Sequence, residues 1–315
     1  MEPSLDVLCF ELLFDVVFKI IAEVKVNSNY TLITAARNEE KFIEQTIKSV
    51  IAQTRLPLKW IIVSNGSTDR TEDIVEKYSD KYHWIELVKK PGDVERNFSA
   101  KVFALTQAYE RLKHLEFSFI GNLDADISFE PDYFDFLLMN FVKYPDLGIA
   151  GTPYIETNRD VSSRFKYDIH YVHGQCQLFR RKCFEQIGGY RPHKLGGVDA
   201  IAVNMAKMNG WKVRSFKEKK FVHHRQMNSA NSKHFYVSFK DGQKDYFLGN
   251  HPLWEIIRII YQISNKPYII RSAMICAGYL WLFVIRYKRP VNKQFVKYRQ
   301  SEQLKRIKSL IKCRK

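Results

Sequence analysis

The sequence predicts an α/β fold: a mostly parallel central sheet with flanking helices, followed by a helical, basic C-terminal extension. Three observations predict it. Short apolar strands alternate with amphipathic helices through the first half of the chain. Polar clusters rich in Asp, Asn, Arg and Glu follow three of those strands directly. Beyond residue 270 the chain becomes continuously apolar and then strongly basic.

Tyr30-Thr-Leu-Ile-Thr-Ala35 reads as the first strand. Asn38 is placed to cap the helix after it, with Glu39 and Glu40 in the first turn and Phe42, Ile43, Ile47, Val50 and Ile51 on one face. Trp60-Ile-Ile-Val63 is the second strand, and Ser64-Asn-Gly-Ser-Thr-Asp69 the turn that leaves it. Asp69 and Glu72 have capping-box spacing ahead of Ile74, Val75 and Tyr78. Trp84 to Val88 forms a third strand. Val102, Leu105, Ala108 and Leu112 then mark a helix leading into the strand that begins at Phe117. Repeated strand–helix units of this kind make a parallel sheet, and ligands bind such sheets at the carboxyl ends of the strands.

The composition is that of a folded chain: 315 residues, 45% hydrophobic and 14% aromatic. Five cysteines, odd in number and without a Cys-x-x-Cys pair, argue for reduced thiols and against a disulfide framework or a zinc site. No basic region and cleavage site of a secretory signal opens the sequence, so a cytoplasmic location is expected. From Arg286 to Lys315 there are twelve basic residues against Glu302 alone, a net +11 of the chain's +16.

The fourth strand ends in Asp124-Ala-Asp126. On extended chain, carboxylates spaced by two share a face and repel each other unless a cation intervenes. Such a pair suits Mg²⁺ or Mn²⁺ completed by substrate phosphates. In isolation the same pattern can merely close a turn. Its position after a strand, alongside Ala35 to Glu39 and Ser64 to Ser67 after two others, brings all three clusters to one crevice.

Thr34-Ala-Ala-Arg-Asn-Glu-Glu40, Val63-Ser-Asn-Gly-Ser-Thr-Asp69 and Leu123-Asp-Ala-Asp126 resemble the consecutive motifs of family 2 glycosyltransferases, which have the GT-A fold, a Rossmann-like α/β architecture. Gln177-Leu-Phe-Arg-Arg181, Ile187-Gly-Gly-Tyr190 and Gly197-Val-Asp199 follow in the family's order, so the resemblance runs from about residue 30 to about 225. It implies an inverting, metal-dependent transfer of a sugar from a nucleoside-diphosphate-sugar to an acceptor hydroxyl. Asp126 would touch the metal, Mn²⁺ or Mg²⁺, and Asp124 would lie near the ribose or a metal-bound water. Asp199, opening a helix, matches the family's general base, and by itself reads equally as a helix cap. His223, in Phe221-Val-His-His-Arg225, would complete the metal shell. Alternation along a strand lets only one of His223 and His224 do so. Ala35, Arg37 and Glu39 fall where the family's first loop meets the nucleotide. Many relatives carry Asp-Asp after the second strand; this chain has Ser64-Asn65, which leaves UDP favoured over GDP or dTDP only by resemblance. Arg96 and Lys101 are placed either to neutralise the diphosphate or to sit in solvent.

The chain divides into an N-terminal amphipathic helix (1–28), a glycosyltransferase domain (29–235) and a helical extension (236–315). Residues 272–285 of the extension are apolar throughout, too few to span a bilayer, and flanked by Arg271 and Arg286. With the basic tail they read as an in-plane anchor on the anionic cytoplasmic face of a membrane, beside a glycan or lipid-linked acceptor, or else as a core helix. The stretch from Lys240 to Pro252 reads as an acceptor loop or a hinge. A polyprenyl-phosphate glycosyltransferase is one enzymatic rival; a nucleotidyltransferase, which would release pyrophosphate, is another. A basic lipid- or nucleic-acid-binding module is the non-enzyme rival, but such a module has no use for inward-facing carboxylates, so no nucleic-acid partner is expected.

Overall fold

The computed structural model describes residues 29–91, 98–156, 169–225, 231–263 and 268–312. The helix expected within 1–28 and Arg96 lie outside these residues. Ten strands and ten helices are described. The first half runs β1 (Tyr30–Ala36), α1 (Ile43–Ile51), β2 (Lys59–Asn65), α2 (Thr71–Ser79), β3 (Ile85–Lys90), α3 (Phe98–Leu112), β4 (Phe119–Leu123), β5 (Ile127–Ser128), α4 (Tyr133–Lys143), β6 (Leu147–Gly151) and β7 (Tyr154–Glu156). The second half runs β8 (Cys176–Arg180), α5 (Arg181–Gln186), α6 (Val198–Met208), β9 (Lys212–Ser215), β10 (Phe221–His223), α7 (Asn231–Phe247), α8 (Pro252–Ile263), α9 (Tyr268–Val284) and α10 (Lys293–Lys312).

Seven strands form the main sheet in the order β3-β2-β1-β4-β8-β6-β9. β1, β2, β3 and β4 are mutually parallel, and β8 inserts antiparallel between β4 and β6. Successive residues of a strand point to opposite faces. Accordingly Leu32, Trp60 and Ile62 pack beneath α1, α2 and α4, while Ile33, Ile61 and Val63 pack beneath α3, α5 and α6. Both faces being covered, β1, β2 and β4 are buried at nearly every position, as the inner strands of a parallel sheet are. The chain adds β2 and β3 on one side of β1 and then crosses to place β4 on the other. That reversal opens a crevice at the carboxyl ends of β1 and β4. A small second sheet, β5-β10-β7, stands beside it.

Two expected caps are used otherwise. Asn38 has a left-handed backbone (φ 56°) and does not cap α1; its Oδ1 accepts from the Thr68 N–H at 2.8 Å. Glu72 does not close a box with Asp69; it accepts from the Ser64 hydroxyl at 2.6 Å. Asp69 instead takes the Thr71 N–H at 3.0 Å and the Glu40 N–H at 3.1 Å. The loops after β1 and β2 are thereby laced together, which fixes the rim of the crevice.

The stretch expected as a loop or hinge, Lys240 to Pro252, is mostly the second half of α7, which also runs through residues 235 and 236. Ala200 and Ile201 of α6 share a core with Tyr246, Phe247, Leu282 and Phe295, so the extension packs against the helix that bears Asp199. Gly242 and Gly278 let α7 and α9 touch backbone to backbone: a Cβ on Gly242 would fall 1.9 Å from Ile275 O, and one on Gly278 2.0 Å from Phe239 O. No rotamer change relieves contact with a carbonyl. Gly242→Ala is therefore expected to cost about 1–3 kcal/mol or more, read as a fall of several degrees in thermal unfolding. An unchanged midpoint would mean the crossing is looser than this.

Candidate active site

The Asp124-Ala-Asp126 turn leaves β4 at the mouth of the crevice. The buried Thr46 hydroxyl of α1 donates to Ala125 O (2.9 Å) and accepts from the Ile127 N–H (3.2 Å), clamping the peptides on either side of Asp126. β10 pairs antiparallel with β5, bringing His223 opposite Ile127. His223 Nε2 lies 3.5 Å from Asp126 Oδ2, and both side chains are buried. His224 faces the other way, its Nε2 2.8 Å from Ser128 Oγ. Two residues past His223, Arg225 donates from Nε to Asp126 Oδ2 at 2.9 Å and from Nη2 to Glu39. Burial alone would raise the Asp126 carboxyl, yet His223 and Arg225 hold it below the usual carboxylate value.

Lys101, on α3, pairs with Asp124. Burial would favour its neutral form, but Asp124, then Asp126 and Asp199, keep it charged and above the ordinary lysine value. Asp124 itself is pushed upward, because burial and the Asp126 charge outweigh Lys101.

Asp199 sits in the first turn of α6, whose N-cap Gly197 adopts the left-handed backbone (φ 76°) that glycine tolerates. Tyr171 donates to Asp199 Oδ2 at 2.6 Å. Burial acts to raise this carboxyl; Lys244 of α7, the Tyr171 hydroxyl and the Ala200 N–H together bring it below the usual range. Gly174 presses on it: a Cβ there would lie 2.9 Å from Asp199 Cβ. The Gly174 carbonyl is in turn held by Asn122 Nδ2 at 2.8 Å, at the end of β4. The base candidate and the Asp pair are thus tied to one strand end.

Along the rim, Ala35 lies in β1 in register with Val63, and Arg37 is half-buried in the loop that follows. Glu39 is buried and paired with Arg225. Ser64 is buried, its hydroxyl given to Glu72. Asn65 is also buried at the end of β2, and its Oδ1 meets no donor among the described residues.

Residues 31–167 match the family model "Glycosyl transferase family 2". They form a family 2 glycosyl transferase domain. Over 137 residues the chain is 27% identical to the poly-beta-1,6-N-acetyl-D-glucosamine synthase of Staphylococcus aureus (strain COL), which is 43% of this chain and 31% of that protein. It is 28% identical over 127 residues to the chondroitin synthase of Pasteurella multocida (strain Pm70), 40% of this chain and 12% of that one. The chain therefore spans less than a third of these curated relatives in the matched region. Among solved structures, the mannosyltransferase PcManGT from Pyrobaculum calidifontis, in complex with GDP-Man and Mn²⁺, aligns with a TM-score of 0.54 at 17% identity, over 90% of this chain and 86% of that one. S. aureus TarS 1-349 in complex with UDP-GlcNAc aligns at 0.52 and 15% identity, over 86% and 78%. At such identities the likeness is one of fold, and the fold is GT-A.

The family 2 domain thus gathers Glu39, Lys101, Asp124 and Asp126, and residues beyond it bring Asp199 and His223 to the same crevice. Sequence reasoning missed Arg225, Tyr171 and Lys244 as members of the site. Arg225 had a signal, since it falls two residues after His223, just past the end of β10; the other two had none. As a metal site, Asp126 and His223 offer a carboxylate oxygen and an imidazole nitrogen, a set that suits Mn²⁺. No group of three or more Asp, Glu, His or Cys that would hold a metal occurs among the described residues. The donor set fits an ion whose shell is completed by substrate, not a closed protein cage.

Proposed function

We propose that the chain transfers a sugar from a nucleoside diphosphate, UDP before GDP or dTDP, to an acceptor hydroxyl with inversion, in the assembly of a cell-surface or lipid-linked glycan. The setting would be cytoplasmic, peripheral on a membrane. The observation that carries this reading is that the fold ties Asp199, remote in sequence, through Gly174 and Asn122 to the strand end that bears Asp124 and Asp126. A basic binding module has no need of three converging carboxylates. In this reading Asp199 takes the proton from the acceptor hydroxyl as its oxygen attacks the anomeric carbon and the diphosphate leaves from the opposite face. The low carboxyl value at Asp199 keeps it ionised, and therefore able to accept a proton, through the neutral range. Asp126 and His223 would hold Mn²⁺ or Mg²⁺, which supplies Lewis-acid stabilisation of the leaving diphosphate. Lys101 would counter phosphate charge beside Asp124, Ala35, Arg37 and Glu39 would border the nucleotide, and the unmet Asn65 Oδ1 would accept the N–H of a uracil base.

The test is thermal unfolding with UDP, GDP, dTDP and CMP, each with and without Mn²⁺. At one hundred times its dissociation constant a ligand adds about 2.7 kcal/mol, a rise of a few degrees. A rise with UDP that needs Mn²⁺ is expected. No rise with any nucleotide would end the donor-site reading. The anomeric configuration of the product, read by NMR, then decides inversion.

Two further outcomes follow from the geometry. Tyr171→Phe removes a hydrogen bond to ionised Asp199, so its pKa rises and the acid limb of kcat/KM moves to higher pH. The sign agrees with linkage: a depressed carboxylate stabilises the fold above its unfolded pKa, and that contribution is lost as pH falls through the folded value. A limb that does not move would detach Asp199 from the base role. For Arg225, which pairs with the Asp126 oxygen nearest His223, Arg225→Met is expected to strengthen Mn²⁺ binding without nucleotide, as read by electron paramagnetic resonance of free Mn²⁺. Weakened binding would show that Arg225 organises the site instead of competing for it.

A further inference from the structure

Helices α8 and α9 pack on each other and present an outer face that no described residue covers. α9 is apolar around its whole circumference, yet only one side is used: Ser272, Ile275, Gly278 and Leu282 turn inward, while Ile269, Trp281 and Val284 stand 70%, 55% and 73% exposed. α8 does the same, with Glu255 buried and Ile256 and Ile260 outward. Thirteen of the twenty-one exposed large hydrophobic side chains among the described residues fall within residues 252–285. Together they expose on the order of 1,000 Å² of apolar surface, against several hundred for the largest patch of a typical monomer. A helix facing water would carry polar residues there.

The charge beside this face says what covers it. No acid is exposed from Pro252 to Ile285, where the one acid, Glu255, points into the protein. Directly after it Arg286 and Lys288 are exposed, and on α10 so are Lys293 and Lys297. No helix among the described residues is long and apolar enough to cross a membrane. Apolar surface bordered by cations, on helices that do not cross, suits the headgroup–acyl boundary of an anionic bilayer.

We propose that the outer face of α8 and α9 seats this protein on an anionic lipid bilayer, with the basic residues from Arg286 onward against the lipid phosphates. This commits to a surface twice as long as the apolar run in the sequence, and it stands independently of the donor-site reading. It also has a consequence for the acceptor. Gly242 and Gly278 lock α7 to α9 backbone to backbone. Tyr246 and Phe247 of α7 and Leu282 of α9 share a core with Ala200 and Ile201, next to Asp199, so the seat and the candidate base belong to one packed unit, which suits an acceptor delivered from the bilayer.

The experiment is flotation of the full chain with vesicles of phosphatidylcholine alone and with phosphatidylglycerol added, at low and high salt. Binding to the anionic vesicles, weakened by salt, is expected. The double variant Ile260→Asp, Trp281→Asp should lose roughly tenfold or more of it, with an unchanged circular dichroism spectrum and an unchanged thermal response to UDP and Mn²⁺. Failure of the wild type to float overturns the proposal, as does a variant that floats as well as the wild type. A dimer in light scattering that the double variant dissolves would assign the face to a second copy instead, and also overturns it. Donor-site failure would appear separately, as a wild type that floats but shows no nucleotide response.

Discussion

Replacing Asp199 by asparagine is expected to lower kcat by about 10²–10⁴-fold, the usual contribution of a positioned general base, with nucleotide binding intact. Asparagine keeps the shape and an oxygen that can take the Tyr171 hydroxyl and the Ala200 N–H, so the first turn of α6 survives. What is lost is the ability to accept a proton from the acceptor. The readouts are kcat, which should collapse, and the Mn²⁺-dependent thermal response to UDP, which should not. A near-normal rate would sink the base assignment and turn attention to an acceptor that arrives already ionised, such as a lipid phosphate. A collapse of both readouts would mean that Asp199 holds the site together and does not act in the chemistry.

Asp126→Asn should have an effect of similar size through a different cause. The substitution removes the charge that His223 and Arg225 both address, and leaves Arg225 with Glu39 as its acidic partner. A neutral amide is a poor ligand for a hard divalent ion. The expected result is loss of the Mn²⁺-dependent part of nucleotide stabilisation, about 2.7 kcal/mol at one hundred times the dissociation constant, together with loss of turnover. Unfolding without ligand should change much less. If UDP and Mn²⁺ stabilise Asp126→Asn as well as the wild type, the metal assignment fails, whatever the rate.

The sheet and its motif loops were legible because they are written locally. Strand β1 to strand β4 could be placed from alternating apolar runs and helical periodicity, and the three polar clusters lie directly after strand ends. Local signals failed where a residue has two uses. Asn38 and Glu72 carry good capping chemistry, but Asn38 is spent on lacing two loops together and Glu72 on the Ser64 hydroxyl at the end of β2. Gly242 falls in a stretch that reads as a loop or hinge and is instead the contact that admits α9. The inward side of α9 was not legible at all: a helix apolar all round has no periodicity from which to tell core from surface.

By itself, then, the sequence determined the α/β order of elements, the motifs that mark a glycosyl transferase of family 2, and the Asp pair at the end of β4. Tertiary structure alone decided what surrounds that pair. Arg225 meets Asp126 across 99 residues and Glu39 across 186, and Phe247 of the extension packs with Ala200, next to Asp199. Such meetings depend on strand order and helix docking, which sum over the whole chain, whereas periodicity records only which side of one element is buried.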